Sequence, residues 1–329
     1  MRVFIITAVL LAGLTPGLAL PAASAALQPI RYNMGWLPQG SQAGVFMAWK
    51  NGLYAKAGLE VSITRGYGGL RTVNEVDQGM FDIGYGDVLA VLMSHRRGGH
   101  ARLVGILNQT LPGGLCFIAD RHRIIRPQDL AGLTVAGGVS SPVQVMLPAW
   151  LKINGVPPGA VRMVQMDPTV VDAALLTGKA DAAECWRGSN KSVLAAQARR
   201  TGLTLQWLEY RQFGADIYGN GLVASQDFIR QRPQVLRAFL VATAVGYELA
   251  SRDPAAAAAV IHERFPEADL AVLEEQVRDI VSLLPPGDPV PHIARVDPAR
   301  IQRTRDFYVR ALGLAEAPVA PDLYTNNGD

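Results

Sequence analysis

The chain has 329 residues, of which 49% are hydrophobic and 18% are charged. This composition excludes a disordered or fibrous protein, and the length is right for two domains of ordinary size. Thirty-one Lys and Arg residues against 28 Asp and Glu residues give a formal net charge of +3. No long basic run concentrates that charge, so nucleic-acid binding is not expected.

The first 25 residues are predicted to be a secretory signal peptide that is not part of the fold. A basic start, Met1-Arg2, precedes an apolar stretch at 3–14, the helix breakers at 16–17 and an alanine-rich stretch at 22–26. That order predicts export, with cleavage after Ala25 or the residue that follows it. A membrane anchor is the alternative, but the apolar stretch is shorter than the roughly 20 residues that span a bilayer. The mature chain is therefore expected to be soluble and periplasmic.

From residue 30 onward, short apolar runs alternate with helical patterns, which predicts βαβ units and mainly parallel sheets. Strands are predicted at 31–36, 59–64, 82–85, 102–107, 116–119, 133–136, 161–165 and 182–186. Helices are predicted between them at 44–57, 70–78, 88–97, 142–154 and 170–176. The rest of the chain is helical in pattern, with predicted helices at 228–252, 254–264, 270–284 and 298–314.

Two stretches of the chain repeat one helix–turn–strand pattern. The stretch at 76–85 and the stretch at 175–184 each end a helix at a glycine and turn through an aspartate, Asp82 or Asp181, into a strand. Glycine is favoured at a helix end because it adopts positive φ easily, and aspartate is typical of turns. The repeat predicts two similar α/β lobes.

The candidate ligand site lies where the predicted strands end, because open parallel sheets bind ligands outside the carboxyl ends of their strands. Aromatic side chains at these ends favour a planar or small polar ligand, and Asp87 and Glu184 are expected to accept hydrogen bonds from it. A serine pair opens a helix whose backbone N–H groups suit an acceptor. The candidate residues are Trp36, Pro38, Tyr67, Gly68, Tyr85, Asp87, Asn108, Ser140, Ser141, Glu184, Trp186 and Tyr218. The alternative for each of them is packing beneath a loop.

No motif in the sequence predicts a catalytic residue, a metal or a cofactor. There is no G-x-S-x-G or H-E-x-x-H motif, the glycine-rich turns match no nucleotide-binding fingerprint, and the five histidines lack metal-ligand spacing. The two cysteines, Cys116 and Cys185, are predicted to be free and buried. Export permits a disulfide between them without requiring one.

Several segments resemble the NMT1/THI5-like group of periplasmic binding proteins. They are GWLP at 35–38, AWKNGLYAKAGLEV at 48–61, and the segments at 76–87, 129–135, 177–182 and 228–240. Members of this group serve ABC importers of thiamine-precursor pyrimidines, riboflavin, taurine, aliphatic sulfonates and nitrate.

The resemblance implies a type II two-lobed binding protein, in which each lobe is a mainly parallel sheet flanked by helices. Lobe one is expected at 26–114 and 223–329, with the C-terminal helices packed on it, and lobe two at 115–222. The crossovers between the lobes are expected near 112–117 and 219–225.

The function that the resemblance implies is that of a monomeric, non-enzymatic solute-binding component of an ABC import system. It would deliver a small ligand from the inter-lobe cleft to a membrane permease and its ATPase. Asp87 and Glu184 favour a neutral or amine-bearing ligand over a bare sulfonate or nitrate, and a pyrimidine-like thiamine precursor is the expected ligand. Within transport, a sulfonate, taurine, nitrate or riboflavin ligand is the alternative. The alternatives are a pyrimidine-synthase-like enzyme of the same fold, which export and the lack of a cysteine cluster disfavour, and a ligand sensor for a membrane receptor.

Overall fold

The computed structural model describes residues 26–139, 141, 143–157, 159–284, 293 and 295–326. The predicted signal peptide at 1–25 and the candidate site residue Ser140 lie outside this described part. Among the helices within it, none has both the length and the apolar character that crossing a membrane requires.

Strands and helices alternate along most of the chain up to β10, and the elements after β10 are helices. The strands are β1 (Gln28–Asn33), β2 (Leu59–Thr64), β3 (Ile83–Asp87), β4 (Arg102–Ile106), β5 (Gly113–Ile118), β6 (Thr134–Gly138), β7 (Arg162–Met166), β8 (Ala182–Trp186), β9 (Leu205–Glu209) and β10 (Asn220–Ala224). The helices are α1 (Ala43–Lys50), α2 (Leu53–Lys56), α3 (Gly69–Asp77), α4 (Val88–His95), α5 (Val143–Ile153), α6 (Pro168–Leu176), α7 (Asn190–Arg200), α8 (Gln226–Gln231), α9 (Pro233–Arg252), α10 (Pro254–Arg264), α11 (Leu270–Val281) and α12 (Pro298–Leu312).

The strands form two five-stranded sheets with the same internal arrangement. The first sheet has the order β2-β1-β3-β10-β4 and the second the order β7-β6-β8-β5-β9. In each sheet one strand runs antiparallel to its two neighbours: β10 in the first sheet and β5 in the second. Each of these is the first strand after the chain passes from one sheet to the other. The chain therefore crosses between the sheets twice. This confirms the predicted two-lobed α/β architecture, and the proposed lobe limits at 114/115 and 222/223 fall inside the two antiparallel strands β5 and β10.

The repeat seen in the sequence is also present in the hydrogen bonds. The carboxylate of Asp82 accepts from the backbone N–H of Arg31 on β1 at 2.7 Å, and that of Asp181 accepts from the backbone N–H of Thr134 on β6 at 2.7 Å. In return, the N–H of each aspartate donates to the carbonyl of the same partner at 2.9 Å. Each turn aspartate thus fixes the register of a central strand against its parallel neighbour.

Several predicted elements differ from the structure. The strand predicted at 31–36 lies three residues earlier, at β1, and the helix predicted at 44–57 is divided into α1 and α2. The predicted elements omit α7 and β9, and β10 was expected only as a crossover near 219–225. The exposed part of α7 is polar and basic, so it leaves little apolar periodicity to detect. The predicted helix at 228–252 is divided at Arg232, whose φ is −133°. Pro233 causes the break, since its ring disfavours a helical conformation at the preceding residue.

The two halves of the molecule share part of their hydrophobic core. On one face of the first sheet, a cluster that includes Phe46 and Phe239 packs beneath α1, α9 and α10. On the other face, a second cluster continues from α4 through α12 to α5 and the second sheet. Phe307 and Tyr308 of α12 belong to this second cluster. The C-terminal helices therefore pack mainly on the first sheet, and α12 also bridges to the second.

Cys116 and Cys185 form a disulfide, so the prediction of free cysteines is wrong. The two residues lie on the antiparallel neighbours β5 and β8, where Cys116 is opposite Ala183 and Cys185 is opposite Gly114. Their Cα atoms are 5.4 Å apart, a separation typical of disulfides. The sequence correctly indicates that both cysteines are buried, but the pairing of the two strands depends on the crossover.

Candidate ligand-binding site between the two sheets

The two sheets approach each other at the ends of β1 and β8. The backbone N–H of Ser41 donates to the carbonyl of Gly188 at 3.2 Å. The hydroxyl of Ser189 donates to Gln39 Oε1 at 2.6 Å. Gln276 of α11 joins both sides, because its Oε1 accepts from the N–H of Gly40 at 2.8 Å and its Nε2 donates to the carbonyl of Ser189 at 2.7 Å. We call residues 39–41, 188–189 and Gln276 the inter-sheet clasp.

Tyr85 and Asn108 form the polar group on the first-sheet side. Tyr85 lies inside β3 and is 7% exposed, and its hydroxyl donates to Asn108 Oδ1 at 3.2 Å. Burial raises the pKa of Tyr85, and a hydrogen bond with Ser41 opposes that rise, so the phenol stays protonated. Asn108 is fully buried, and within the described ranges its Nδ2 has no hydrogen-bond partner.

A glycine allows the loop after β1 to pass directly over Tyr85. Gly35 has a φ of +75°, and a Cβ on it would lie 2.5 Å from the carbonyl oxygen of Tyr85. Both the conformation and the close approach exclude a side chain at this position. The loop that carries Trp36 is thereby held next to the Tyr85–Asn108 pair.

Glu184 is the centre of the group on the second-sheet side. Its Oε1 accepts from the N–H of Gly138 at 2.7 Å. Its Oε2 accepts from the hydroxyl of Ser141 and, at 3.4 Å, from Nε1 of Trp186. Burial raises the pKa of Glu184, and these three hydrogen bonds counteract the rise. The carboxylate thus holds the turn after β6 and orients the Trp186 indole.

Trp186 and Tyr210 flank Glu184. The Trp186 ring packs over Gly113, where a Cβ would lie 2.5 Å from the ring. Tyr210 follows β9 and is fully buried, and in the part of the chain that the structure describes its hydroxyl has no partner. Burial, and secondarily the charge of Glu184, raise the pKa of Tyr210. Tyr210 was not predicted as a site residue, because its position depends on a strand that the prediction omits.

Asp87 acts as a helix cap. Its Oδ1 accepts from the backbone N–H of Ala90 at 2.8 Å, in the first turn of α4. Burial raises the pKa of Asp87, and the N–H groups of Ala90 and Leu89 lower it. Its hydrogen bonds in the structure are thus those of an N-cap residue.

Four other candidates lie on the loops that follow β1 and β2. Trp36 and Pro38 are half-buried next to the clasp, and the N–H of Gly68 donates to the carbonyl of Gly35 at 2.8 Å. Tyr67 is 49% exposed. The guanidinium groups of Arg65 and Arg71 lie 4.4 and 4.7 Å from the centroid of its ring. Tyr67 therefore lies at the protein surface, on the loop that follows β2.

Tyr218 packs in the core beneath α12. It is 2% exposed, its hydroxyl accepts from the N–H of Asp297 at 3.1 Å, and its own N–H donates to Thr304 Oγ1 at 3.1 Å. These contacts fit the alternative interpretation, that Tyr218 packs beneath a loop, better than they fit contact with a ligand. The structure thus joins Tyr85 to Asn108, and Ser141 and Trp186 to Glu184, and it directs the Tyr218 side chain toward α12.

The family model described as "NMT1/THI5 like" matches residues 39–257. The chain belongs to this family. No curated protein matches it in sequence.

Solved structures of binding proteins share its fold. The aliphatic sulphonate-binding protein SsuA of Escherichia coli is 16% identical, with a TM-score of 0.69 over 91% of this chain and 98% of that one. The alkanesulfonate-binding protein SsuA of Xanthomonas axonopodis pv. citri, bound to MOPS, is 17% identical, with a TM-score of 0.68 over 92% and 99%. The nitrate-binding protein NrtA of Synechocystis is 14% identical, with a TM-score of 0.59 over 75% and 69%. The fold is that of periplasmic binding proteins, as the resemblance predicts.

Proposed function

We propose that this chain is the solute-binding component of an ABC import system and binds a small planar, polar ligand between its two sheets. Membership of the NMT1/THI5-like family and the fold of the sulfonate- and nitrate-binding neighbours support the transport role. A pyrimidine-like thiamine precursor is the ligand class that we propose. Its ring nitrogens accept hydrogen bonds and its flat faces suit aromatic walls.

The amide of Asn108 is the observation that carries this proposal. A buried amide N–H₂ without a partner is unfavourable by roughly 1–3 kcal/mol in a native protein, so such groups are uncommon, and a ligand acceptor would relieve this cost. Asn108 lies just after β4, on the first crossover between the sheets, and its other amide atom is fixed by the Tyr85 hydroxyl. The side chain is thereby oriented to donate to an acceptor on the ligand.

The residues around Asn108 favour a planar molecule with acceptor groups. Tyr85 and Trp186 are aromatic side chains on strands of opposite sheets, and Tyr210 provides a second buried hydroxyl. Asp87 and Glu184 already accept hydrogen bonds from the protein, so they do not favour an amine on the ligand as the sequence suggested. The support for a pyrimidine therefore comes from the donors and the rings.

The proposal also includes export, a permease with its ATPase as partners, and no chemical turnover. Both cysteines of the chain are held in the disulfide, so no free thiol is available for cysteine-dependent synthase chemistry. N-terminal sequencing of the exported protein tests the signal peptide, and mass spectrometry of recovered ligand tests the absence of turnover.

Calorimetric titration with a panel of pyrimidines, flavins, alkanesulfonates and nitrate tests the ligand class. We expect a pyrimidine to bind, and Asn108→Leu to weaken that binding at least about tenfold through loss of one hydrogen bond in a buried site. Tyr85→Phe tests the positioning of this amide: it removes the hydroxyl that contacts Asn108 and leaves the amide N–H₂ in place, so it should weaken binding less than Asn108→Leu does.

Binding of a sulfonate or nitrate with no response to pyrimidines would replace the proposed ligand class and keep the transport role. If Asn108→Leu binds the ligand as tightly as the wild type does, the site lies elsewhere. Conversion of the ligand to a product would overturn the proposal of a binding component.

A further inference from the structure

Helices α7 and α11 carry opposite charges and face each other across the two halves of the molecule. α7 follows β8 of the second sheet, whereas α11 packs on α10 and on residues 40–42 of the first half. The charged residues of α7 are all basic: Lys191, Arg199 and Arg200. Those of α11 and its N-cap are mainly acidic: Asp269, Glu274, Glu275 and Asp279, with the single base Arg278.

Three ion pairs connect the two helices. The Arg200 guanidinium lies 3.0 Å from Asp269 Oδ2, and that of Arg199 lies 3.7 Å from Glu275 Oε2. The third pair joins Lys191 Nζ to Asp279 Oδ2 at 3.3 Å, and its side chains are only 22% and 17% exposed. The pairs extend along the full length of the helix contact, so the attraction acts on the relative position of the two halves.

An uncharged contact lies at the inner end of the same helix pair. Gly188 packs so closely on α11 that a Cβ on it would lie 2.1 Å from Ile280 Cγ1. Gln276 of α11 completes the inter-sheet clasp with its bond to the carbonyl of Ser189. The ion pairs and the clasp thus share one helix, so loss of the ion pairs is expected to weaken the clasp as well.

We infer that the α7–α11 ion pairs form an electrostatic latch that sets how far the two halves close, and so tunes ligand affinity from outside the binding site. A ligand that binds only the closed form has an apparent affinity that scales with the closed fraction. The latch favours closure without touching the ligand. This inference uses the proposed function only for its consequence on affinity, since closure itself is measured without ligand.

Salt and charge reversal are the perturbations that separate this latch from ordinary packing. Raising NaCl from about 20 mM to about 500 mM shortens the Debye length from about 20 Å to about 4 Å, which screens exposed pairs strongly. Exposed pairs are individually weak, so we expect the combined effect of salt on the closed-to-open ratio to be about three- to tenfold. Apolar packing would respond little or in the opposite direction.

Distances between spin labels at Glu60→Cys and Arg162→Cys report closure, because these exposed positions lie on the outermost strands of the two sheets. Both natural cysteines are paired, so introduced thiols label selectively. In the ligand-free protein, Lys191→Asp is expected to shift the distribution toward open forms by about tenfold. The exchange Lys191→Asp with Asp279→Lys is expected to restore it.

Arg252→Gln is the matched control for Arg200→Gln. Arg252 is as exposed as Arg200, at 69% against 67%, but its ion pair with Glu248 lies within α9. Arg200→Gln should widen the distance distribution, and Arg252→Gln should leave it unchanged. The latch is refuted if both variants behave like the wild type, if the exchanged pair fails to restore closure, or if salt has no effect. Circular dichroism of each variant checks that α7 stays folded.

Discussion

Removal of the Cys116–Cys185 disulfide is expected to lower the free energy of unfolding by about 4 kcal/mol. The bond joins β5, the strand that arrives from the first crossover, to β8, which carries Glu184 and Trp186. It therefore restrains the two strands on which the second-sheet side of the site is built. The double variant Cys116→Ala with Cys185→Ala is the perturbation, since alanine is apolar and both positions are fully buried.

The magnitude follows from the length of chain that the bond closes. The two cysteines are 69 residues apart, and a crosslink over a loop of that length removes about 15 cal/mol/K from the entropy of the unfolded chain. At room temperature this corresponds to about 4 kcal/mol, and the small cavities left by the two sulfurs add to it. The loss is a large part of the 5–15 kcal/mol that is typical of native domains.

Urea unfolding followed by tryptophan fluorescence measures this loss. The midpoint should fall, and the slope should rise somewhat because the unfolded chain is no longer crosslinked. Each single cysteine variant should be about as unstable as the double variant, because either one removes the crosslink. If the double variant loses less than about 1 kcal/mol, the chain-entropy argument is refuted. Equal stability of the wild type with and without a reductant under unfolding conditions would contradict it independently.

Two further perturbations test a carboxylate on α6 and the clasp. The carboxylate is that of Asp172, whose Oδ1 accepts from Asn190 Nδ2 at 3.1 Å. Burial raises the pKa of Asp172 to about 6 from an ordinary 3.8, so the native state binds more protons in that interval and wild-type stability falls as pH rises through it. Urea unfolding should therefore show Asp172→Asn gaining up to about 3 kcal/mol over the wild type between pH values of about 4 and 7; a constant difference would contradict this. Gly188→Ala places a Cβ 2.1 Å from Ile280 Cγ1 at a φ of +70°, so it should force the two halves apart. Small-angle scattering of the ligand-free protein should then show a larger radius of gyration. An unchanged radius would refute the role of the clasp in closure.

Signals that are local in sequence predicted the architecture of this chain. Alternating apolar runs and the repeated glycine–aspartate turn indicated two similar lobes, and the structure shows the same pair of backbone bonds at Asp82 and Asp181. Such turns depend on a few neighbouring residues, so they are visible without a fold. The bonds at these turns set the parallel register of β3 against β1 and of β8 against β6.

Contacts over long sequence distances could not be predicted in this way. Gln276 reaches Gly40 across 236 positions, and no local pattern marks it. The disulfide and the unpartnered Tyr210 hydroxyl depend on the order of strands in the second sheet, which includes the omitted β9. Asp87 and Glu184 were recognised as important, but whether a carboxylate faces a ligand or the protein depends on its surroundings in the fold.

The two sheets have the same arrangement, in which residues of the proposed site lie on the central strands and the closure contacts lie elsewhere. Tyr85 and Glu184 are each the third residue of a central strand, and each lies opposite a leucine of the antiparallel neighbour, Leu222 or Leu115. These central strands are hydrogen-bonded on both sides, so they provide rigid supports for the groups that we propose contact the ligand. The clasp and α7–α11 lie beyond the strand ends, where the halves can move against each other. A variant at Asn108 should therefore change the intrinsic affinity of the closed form, and a variant at Lys191 should change only the fraction that is closed. The two effects are distinguishable, because high salt should reduce the second and leave the first unchanged.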